Sequence, residues 1–348
     1  MMLPVPLYTR PRRFSFSDGA SAQRFLADEG YVVYRDVLSP AECCSGMALL
    51  WDWLEALGTG IDRGRPETWC DERWPPSVSG AGILPNCGIG QSDAMWYVRT
   101  RPAVRRAFEQ VWGTRELLVS YDGCCLFRPW ADDPERRTNA GWYHVDQNPT
   151  RKPGFECVQG LVNLLPTSTA TGSTVLLPRS HLEFPRLAER YADSPRMRSG
   201  EDFISLGADD PLIGDAAAPP PLCAHLEPGD LLLWDSRTVH CSTPGVLDAR
   251  APPPPSNRLL RAVAFVCMTP RNRASEAVLR SRKEALMNGV TTTHWPHHYQ
   301  PTHAYSSYKE LSSAGSRGDT TGGPRFRLTA PIARLVGYTE EEAVAFGP

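Results

Sequence analysis

Residues 141–149 read Gly-Trp-Tyr-His-Val-Asp-Gln-Asn-Pro, and this stretch decides how the rest of the chain is interpreted. Its pattern predicts a strand, in which successive side chains alternate between two faces. His144 and Asp146 are two residues apart, so both point to the same side of that strand. One face of a single strand therefore offers an imidazole nitrogen and a carboxylate oxygen, which are two of the three protein ligands of a facial metal site.

The third ligand is expected at the end of residues 229–240, which read Gly-Asp-Leu-Leu-Leu-Trp-Asp-Ser-Arg-Thr-Val-His. A turn leads there into an apolar run, and the stretch closes on His240. Two histidines and one aspartate form the 2-His-1-carboxylate triad that is typical of non-haem Fe(II) oxygenases. His144, Asp146 and His240 are therefore the predicted metal ligands and the predicted catalytic centre.

Four stretches together resemble the phytanoyl-CoA dioxygenase family of iron- and 2-oxoglutarate-dependent oxygenases, and the resemblance extends from about residue 31 to about residue 269. These stretches are residues 142–149, 158–166, 171–181 and 229–240. The resemblance implies Fe(II) and 2-oxoglutarate as cofactors, O2 as cosubstrate and ascorbate as a candidate reductant. It implies a dioxygenase that hydroxylates or otherwise oxidises an unactivated C–H bond of a small organic substrate, with release of succinate and CO2. The carboxylate of Asp146 favours hydroxylation, because halogenating members of the family have a small residue at that position.

The resemblance also implies an arginine for the distal carboxylate of 2-oxoglutarate, since a guanidinium meets a carboxylate through two parallel hydrogen bonds. Family members carry it on the last core strand. Arg250 has the usual spacing from His240 but is followed by Ala251 and four prolines, which a strand does not accommodate. Arg261, in the predicted strand 259–268, is therefore favoured, with Arg258 as the alternative.

Two polar residues align with family positions that contact the cosubstrate. Ser242 lies two residues after His240, and Gln159 shares a strand face with Leu161 and Asn163. A polar side chain inside a barrel needs a hydrogen-bond partner, which 2-oxoglutarate could provide. A buried structural network would satisfy both side chains equally well.

Many short predicted strands after a helical start indicate an all-β core with flanking helices, a double-stranded β-helix or jelly roll of the cupin-like type. We expect an N-terminal arm at 1–16 and a single oxygenase domain at 17–348, whose core occupies about 115–270. Insertions are predicted at 185–228, a long polar excursion between strands, and at 248–257, a short proline-rich spacer; a C-terminal extension follows at 270–348. Residues 59–94 and 289–303 are candidates for segments that cover the pocket.

Composition restricts the partners. A net charge of -2 gives no electrostatic case for binding nucleic acid, and no apolar run is long enough to insert into a membrane. We therefore expect a cytoplasmic enzyme with a small-molecule substrate, and the sequence carries no prediction of oligomeric state. The alternatives are a non-catalytic jelly-roll binding protein and a zinc hydrolase that uses the same triad.

Overall fold

The structure described here is a computed structural model that describes residues 7–215, 219–246, 256–302 and 327–347. Their strands form two facing sheets and a third, small sheet of two strands. The strands are β1 Leu7–Thr9, β2 Arg13–Phe14, β3 Tyr31–Tyr34, β4 Ile83–Leu84, β5 Leu117–Val119, β6 Cys124–Phe127, β7 His144–Val145, β8 Val158–Asn163, β9 Gly172–Leu176, β10 Ile204–Ser205, β11 Leu222–Ala224, β12 Leu231–Asp235, β13 His240–Pro244, β14 Arg261–Phe265 and β15 Met268–Pro270. The helices are α1 Gly19–Glu29, α2 Pro40–Ala56, α3 Asp93–Arg99, α4 Pro102–Trp112, α5 Phe184–Arg190, α6 Pro195–Ser199, α7 Pro211–Gly214, α8 Glu276–Met287, and two C-terminal helices, Ala330–Val336 and Glu340–Val344.

The larger sheet has the strand order β2-β3-β12-β8-β14-β6-β4, and the smaller has the order β1-β11-β9-β13-β7-β10. Neighbouring strands within both sheets are antiparallel, apart from β2 with β3 and β1 with β11. Two such sheets that close over a shared core form a double-stranded jelly roll. The predicted fold class is confirmed.

Alternation along the strands of the larger sheet divides their side chains between two apolar layers. In β12, Leu231 and Leu233 point outwards and share a core with Leu50 of α2 and Phe108 of α4. The side chains between them point inwards, and Trp234 belongs to the core between the two sheets. Helices therefore cover the outer face of this sheet and leave its inner face to the second sheet.

The smaller sheet shows the same division around the predicted ligands. Tyr143 and Val145 point outwards and pack with Phe184 and Leu187 of α5. His144 lies between them in sequence, so its side chain points to the opposite face, into the space between the sheets. The alternation of β7 thus sends an imidazole to the interior of the sandwich.

Two segments differ from the sequence expectation. Residues 7–16, expected within an arm, contribute β1 and β2 to the two sheets, and Arg13 forms an ion pair of 2.7 Å with the buried Asp230. Residues 185–228, expected as a polar excursion, contain β10, which pairs with β7, and β11, which pairs with β9. These strands are only two and three residues long, so the surrounding polar and proline-rich sequence hides them.

The C-terminal extension packs onto the core. Leu286 of α8 shares the helix-side core with Leu335 and Val336, and Thr339 caps the last helix through a capping box with Glu342. Most of the predicted spacer at 248–257 lies outside the described residues. None of the helices in the described ranges is both long enough and apolar enough to cross a bilayer.

Candidate metal centre and its cavity

The structure brings the three predicted metal ligands together between the sheets. His144 of β7 and His240 of β13 face each other in the antiparallel register of the smaller sheet, and Asp146 follows β7. The Nε2 atom of His144 lies 3.5 Å from Oδ1 of Asp146, and that of His240 lies 3.4 Å from Oδ2. One ligand atom from each of the three lies within 4.8 Å of the other two. Ligands at right angles about 2.1 Å from an ion are about 3 Å apart, so this spacing fits one divalent cation.

Backbone carbonyls fix the orientation of both imidazoles. The Nδ1 atom of His144 lies 3.1 Å from the Trp142 carbonyl oxygen, and Nδ1 of His240 lies 3.0 Å from that of Thr238. A proton on each Nδ1 completes these hydrogen bonds and leaves Nε2 as the metal ligand, which is the usual arrangement around ligating histidines. The His144 ring is also stacked between the rings of Trp142 and Phe203, at centroid distances of 4.9 and 4.5 Å.

The electrostatics of the triad suit a cation. Burial alone would raise the pKa of Asp146, but the neighbouring imidazoles of His144 and His240 hold it well below its ordinary value. Burial and the neighbouring His144 lower the pKa of His240, which favours its uncharged form. An ionised carboxylate beside a neutral imidazole is a donor set for a divalent metal.

A cavity of about 410 Å³ opens beside the triad. Both segments singled out as candidate covers contribute to its wall, through Val78, Ser79, Ala81, Ile83 and Pro85 of the first and Thr293, His294, Trp295, Gln300 and Thr302 of the second. The two segments are joined by hydrogen bonds. Gly90 N donates to Thr291 Oγ1 at 3.1 Å, and Gln91 Nε2 donates to the Val290 carbonyl at 2.9 Å. The two segments therefore form one continuous wall.

Arg261 reaches into this cavity from the larger sheet. Its side chain is buried, and Nη2 donates to Thr174 Oγ1 of the smaller sheet at 2.6 Å. Nη1 has only the Cys125 sulfur at 3.8 Å, and Nε has no hydrogen-bond partner among the described residues. A buried guanidinium with spare donors needs an anion, so the residues present fit the distal carboxylate of 2-oxoglutarate.

The other predicted cosubstrate contacts differ in their surroundings. Ser242 lines the cavity opposite Thr174 in the β13–β9 register, and its buried hydroxyl has no partner in the described part of the chain. Gln159 also lines the cavity, but its Nε2 donates to Oδ2 of Asp146 at 3.1 Å, so it supports a metal ligand. Arg258 is exposed, and Arg250 lies outside the described residues.

Two cavity residues escape sequence reasoning. Asp122 lies in the turn between β5 and β6, and His294 lies in the C-terminal extension, where its Nε2 is 3.1 Å from the Asp146 carbonyl oxygen. Burial raises the pKa of Asp122 to about 6, although His294 and Arg99 act in the opposite direction. Neither residue stands in a motif; the only signal in the sequence was that His294 falls within 289–303, a segment predicted as a candidate cover of the pocket.

Comparison with known proteins identifies the relatives of this chain. The family model for phytanoyl-CoA dioxygenase (PhyH) matches residues 96–246. Ava biosynthesis cluster protein O of Aspergillus versicolor is 29% identical over 278 residues, which cover 78% of this chain and 84% of that protein. The 1-deoxypentalenic acid 11-beta-hydroxylase of Streptomyces arenae is 24% identical over 289 residues, with coverages of 79% and 93%.

A solved structure is similar in fold. The non-heme alpha ketoglutarate dependent carbocyclase SnoK from nogalamycin biosynthesis aligns with a TM-score of 0.50 and 17% identity, over 75% of this chain and 88% of that one. The matched family region contains all three predicted metal ligands, whereas Arg261 and His294 lie beyond it. The match of residues 96–246 to the phytanoyl-CoA dioxygenase model, the similarity to the two relatives and the geometry of the triad all support an Fe(II)- and 2-oxoglutarate-dependent oxygenase.

Proposed function

We propose that His144, Asp146 and His240 hold Fe(II), that Arg261 binds the distal carboxylate of 2-oxoglutarate, and that the enzyme hydroxylates a C–H bond of a small organic molecule. The spare donors of the buried Arg261 in the cavity of the triad carry this proposal. When bound, the iron with 2-oxoglutarate and O2 supplies the oxidation of the C–H bond, and succinate and CO2 are released. Ascorbate is the proposed reductant that keeps the iron in the ferrous state.

The residues of the chain would position the metal and 2-oxoglutarate and exclude water from the cavity. The carbonyls of Trp142 and Thr238 keep the Nε2 atoms of His144 and His240 directed towards Asp146. Thr174 holds Arg261 on the opposite side of the cavity, which sets where the distal carboxylate binds. Aromatic side chains in the wall, such as those of Phe203 and Trp234, exclude water from the reacting centre.

An apolar, partly aromatic cavity of this size fits a small organic substrate. The two curated relatives that cover most of this chain are a biosynthesis cluster protein and a hydroxylase of 1-deoxypentalenic acid, which supports a role in modifying a natural product. The carboxylate of Asp146 occupies the position that a halide would need, which supports hydroxylation as the outcome.

Anaerobic titration of the protein with Fe(II) and then 2-oxoglutarate tests the proposal, because the chelate absorbs weakly in the visible range. We expect the band in the wild type, its loss in His144→Ala, and a much higher 2-oxoglutarate requirement in Arg261→Ala but not in Arg258→Ala. Oxygen should then be consumed together with 2-oxoglutarate. Bound iron without the band contradicts the proposal and favours a non-catalytic binding protein, whereas an oxygen-independent hydrolysis that zinc supports favours a hydrolase.

A further inference from the structure

Asp122 places a carboxylate in the wall of the cavity that contains the metal triad. Asp122 lies in the loop between β5 and β6 and is half-buried. His294 also lines this cavity, and its Nε2 atom contacts the backbone carbonyl of the metal ligand Asp146. A group bound at Asp122 would therefore share the cavity with the metal ligands.

The surrounding turn fixes Asp122 and uses only part of its hydrogen-bonding capacity. The buried Arg99 donates from Nη2 to the Asp122 backbone carbonyl at 2.6 Å, and Gly123 N donates to Oδ1 at 2.8 Å. Among the described residues, no hydrogen bond reaches Oδ2. The carboxylate is thus held in one orientation with one oxygen left for a ligand.

The other acidic side chains of the cavity have cationic partners. Glu201 pairs with Arg196 at 3.8 Å, and Asp202 pairs with Lys152 at 2.5 Å. Within the described ranges Asp122 forms no ion pair, because Arg99 reaches only its backbone carbonyl. Burying an ionised carboxylate is costly unless donors meet it. His294 and Arg99 favour the charged form through their charge, but neither forms an ion pair with the carboxylate among the described residues, so a ligand donor could still bind it.

Apolar side chains line part of the cavity, and Thr293, His294 and Gln300 contribute polar groups to it. Ile83 of β4, Leu161 of β8 and Phe265 of β14 line it together with Val78. A ligand that fits these apolar side chains while it satisfies Asp122 combines apolar surface with a strong hydrogen-bond donor.

We propose that Asp122 is a substrate-binding residue that accepts a hydrogen bond from a hydroxyl or ammonium group on an otherwise apolar substrate. This inference rests on the proposed function, because it describes the substrate of the same oxygenase site. The bond fixes one end of the substrate, so that the C–H bonds at a set distance from the donor group face the metal centre. Asp122 therefore determines both which molecules bind and which of their positions is oxidised.

Three probes that share one rigid apolar cage test the proposal: 1-adamantylammonium, 1-adamantanol and 1-adamantanecarboxylate. Their dissociation constants are measured by ligand-observed NMR on the wild type, Asp122→Asn and Glu201→Gln. Asparagine keeps an oxygen for Gly123 N but removes the charge and replaces the second acceptor oxygen with an NH2 donor. Glu201→Gln makes the same change of group in the same cavity. Melting temperatures of both variants verify that the fold is retained.

We expect the ammonium and alcohol probes to bind the wild type more tightly than the carboxylate probe. Asp122→Asn should weaken ammonium binding about 10-fold or more, the usual contribution of a hydrogen bond to a charged group, and Glu201→Gln should change it less than about 2-fold. A larger loss for ammonium than for alcohol indicates an amine substrate, and the reverse indicates an alcohol. Equal binding of the three probes, or equal effects of the two variants, overturns the proposal.

The titrations are made on the metal-free chain and repeated after anaerobic loading with Fe(II) and 2-oxoglutarate. Failure to load iron or 2-oxoglutarate contradicts the proposed function, yet the metal-free titrations still report on Asp122. If iron and 2-oxoglutarate bind normally but the affinities of the probes are unchanged in Asp122→Asn, only the role of Asp122 is contradicted. The two failures are therefore distinguishable.

Discussion

Arg282 and Arg261 are both buried arginines without a carboxylate partner among the described residues, but their surroundings differ. Arg282 donates to four backbone carbonyls at 2.8 to 2.9 Å, those of Val119, Pro296, Leu335 and Val336. The partners of Arg261 are the Thr174 hydroxyl and, at a longer distance, the Cys125 sulfur, and its Nε has no partner among the described residues. Burial lowers the pKa of both guanidinium groups, and a buried charge of this kind is costly unless acceptors meet its donors.

The difference separates a structural role from a binding role. Arg282 of α8 joins β5, the cavity wall near Pro296 and the end of the helix Ala330–Val336, and the protein itself supplies its acceptors. Arg261 lines the cavity and keeps donors that the protein does not satisfy. A buried charged side chain whose hydrogen bonds are all made within the protein has a structural role, whereas one with unused hydrogen-bond donors indicates a ligand site.

The largest expected effect is on stability, in Arg282→Met. This substitution leaves four carbonyl groups without their donor, and we expect a loss of about 3–5 kcal/mol in the free energy of unfolding, measured by urea denaturation. Arg261→Met is the matched control and should change stability by about 1 kcal/mol or less in the absence of 2-oxoglutarate. If Arg282→Met does not fold, Arg282→Lys provides a milder loss of the same bonds. Equal destabilisation by Arg282→Met and Arg261→Met would contradict the assignment of a structural role to one arginine and a binding role to the other.

The next effect is on ligand binding, in Arg261→Met. Loss of a charge-assisted pair should weaken 2-oxoglutarate binding by roughly 10- to 100-fold, measured by calorimetry on the anaerobic Fe(II) protein. Affinity for iron should be retained, because the triad is untouched. Arg258→Met is the control, since Arg258 is exposed and should leave 2-oxoglutarate affinity unchanged. Unaltered binding in Arg261→Met would assign the distal carboxylate to another group.

The smallest effect concerns the residue that holds Arg261 in place. Thr174→Val keeps the shape of the side chain but removes the hydroxyl that accepts from Nη2, so we expect about a 3- to 10-fold loss of 2-oxoglutarate affinity. Thr243→Val alters a buried threonine on the neighbouring strand β13, whose hydroxyl bonds only to the Pro244 carbonyl among the described residues. It should leave the affinity unchanged in the same calorimetric titration. Identical results for the two variants would show that Thr174 does not position the arginine.

Local patterns were sufficient for much of the fold and for the candidate triad. Strand alternation determines that His144 and Asp146 point to one side and that Trp234 points inwards, and this information is contained in neighbouring residues. The proline run after Arg250 turned the choice to Arg261 in the predicted strand 259–268, and Arg261 lines the cavity in the structure.

Residues brought in by long-range contacts could not be predicted in this way. Asp122 is a turn residue without a motif, and its role depends on Arg99 and on the wall opposite. His294 is 148 positions from Asp146 along the chain, and no local periodicity connects them. Strands as short as β10 and β11 were missed because two or three residues give little periodic signal.

The aromatic rings around the metal ligands also have an optical consequence. Trp142 is stacked on His144, and the Trp234 ring lies 5.1 Å from that of His240. An open-shell ion held by these imidazoles would quench the fluorescence of both indoles, whereas zinc would not. Intrinsic fluorescence would therefore report whether an ion bound at the triad is open-shell or closed-shell, in a dilute sample without a dye and before any substrate is known.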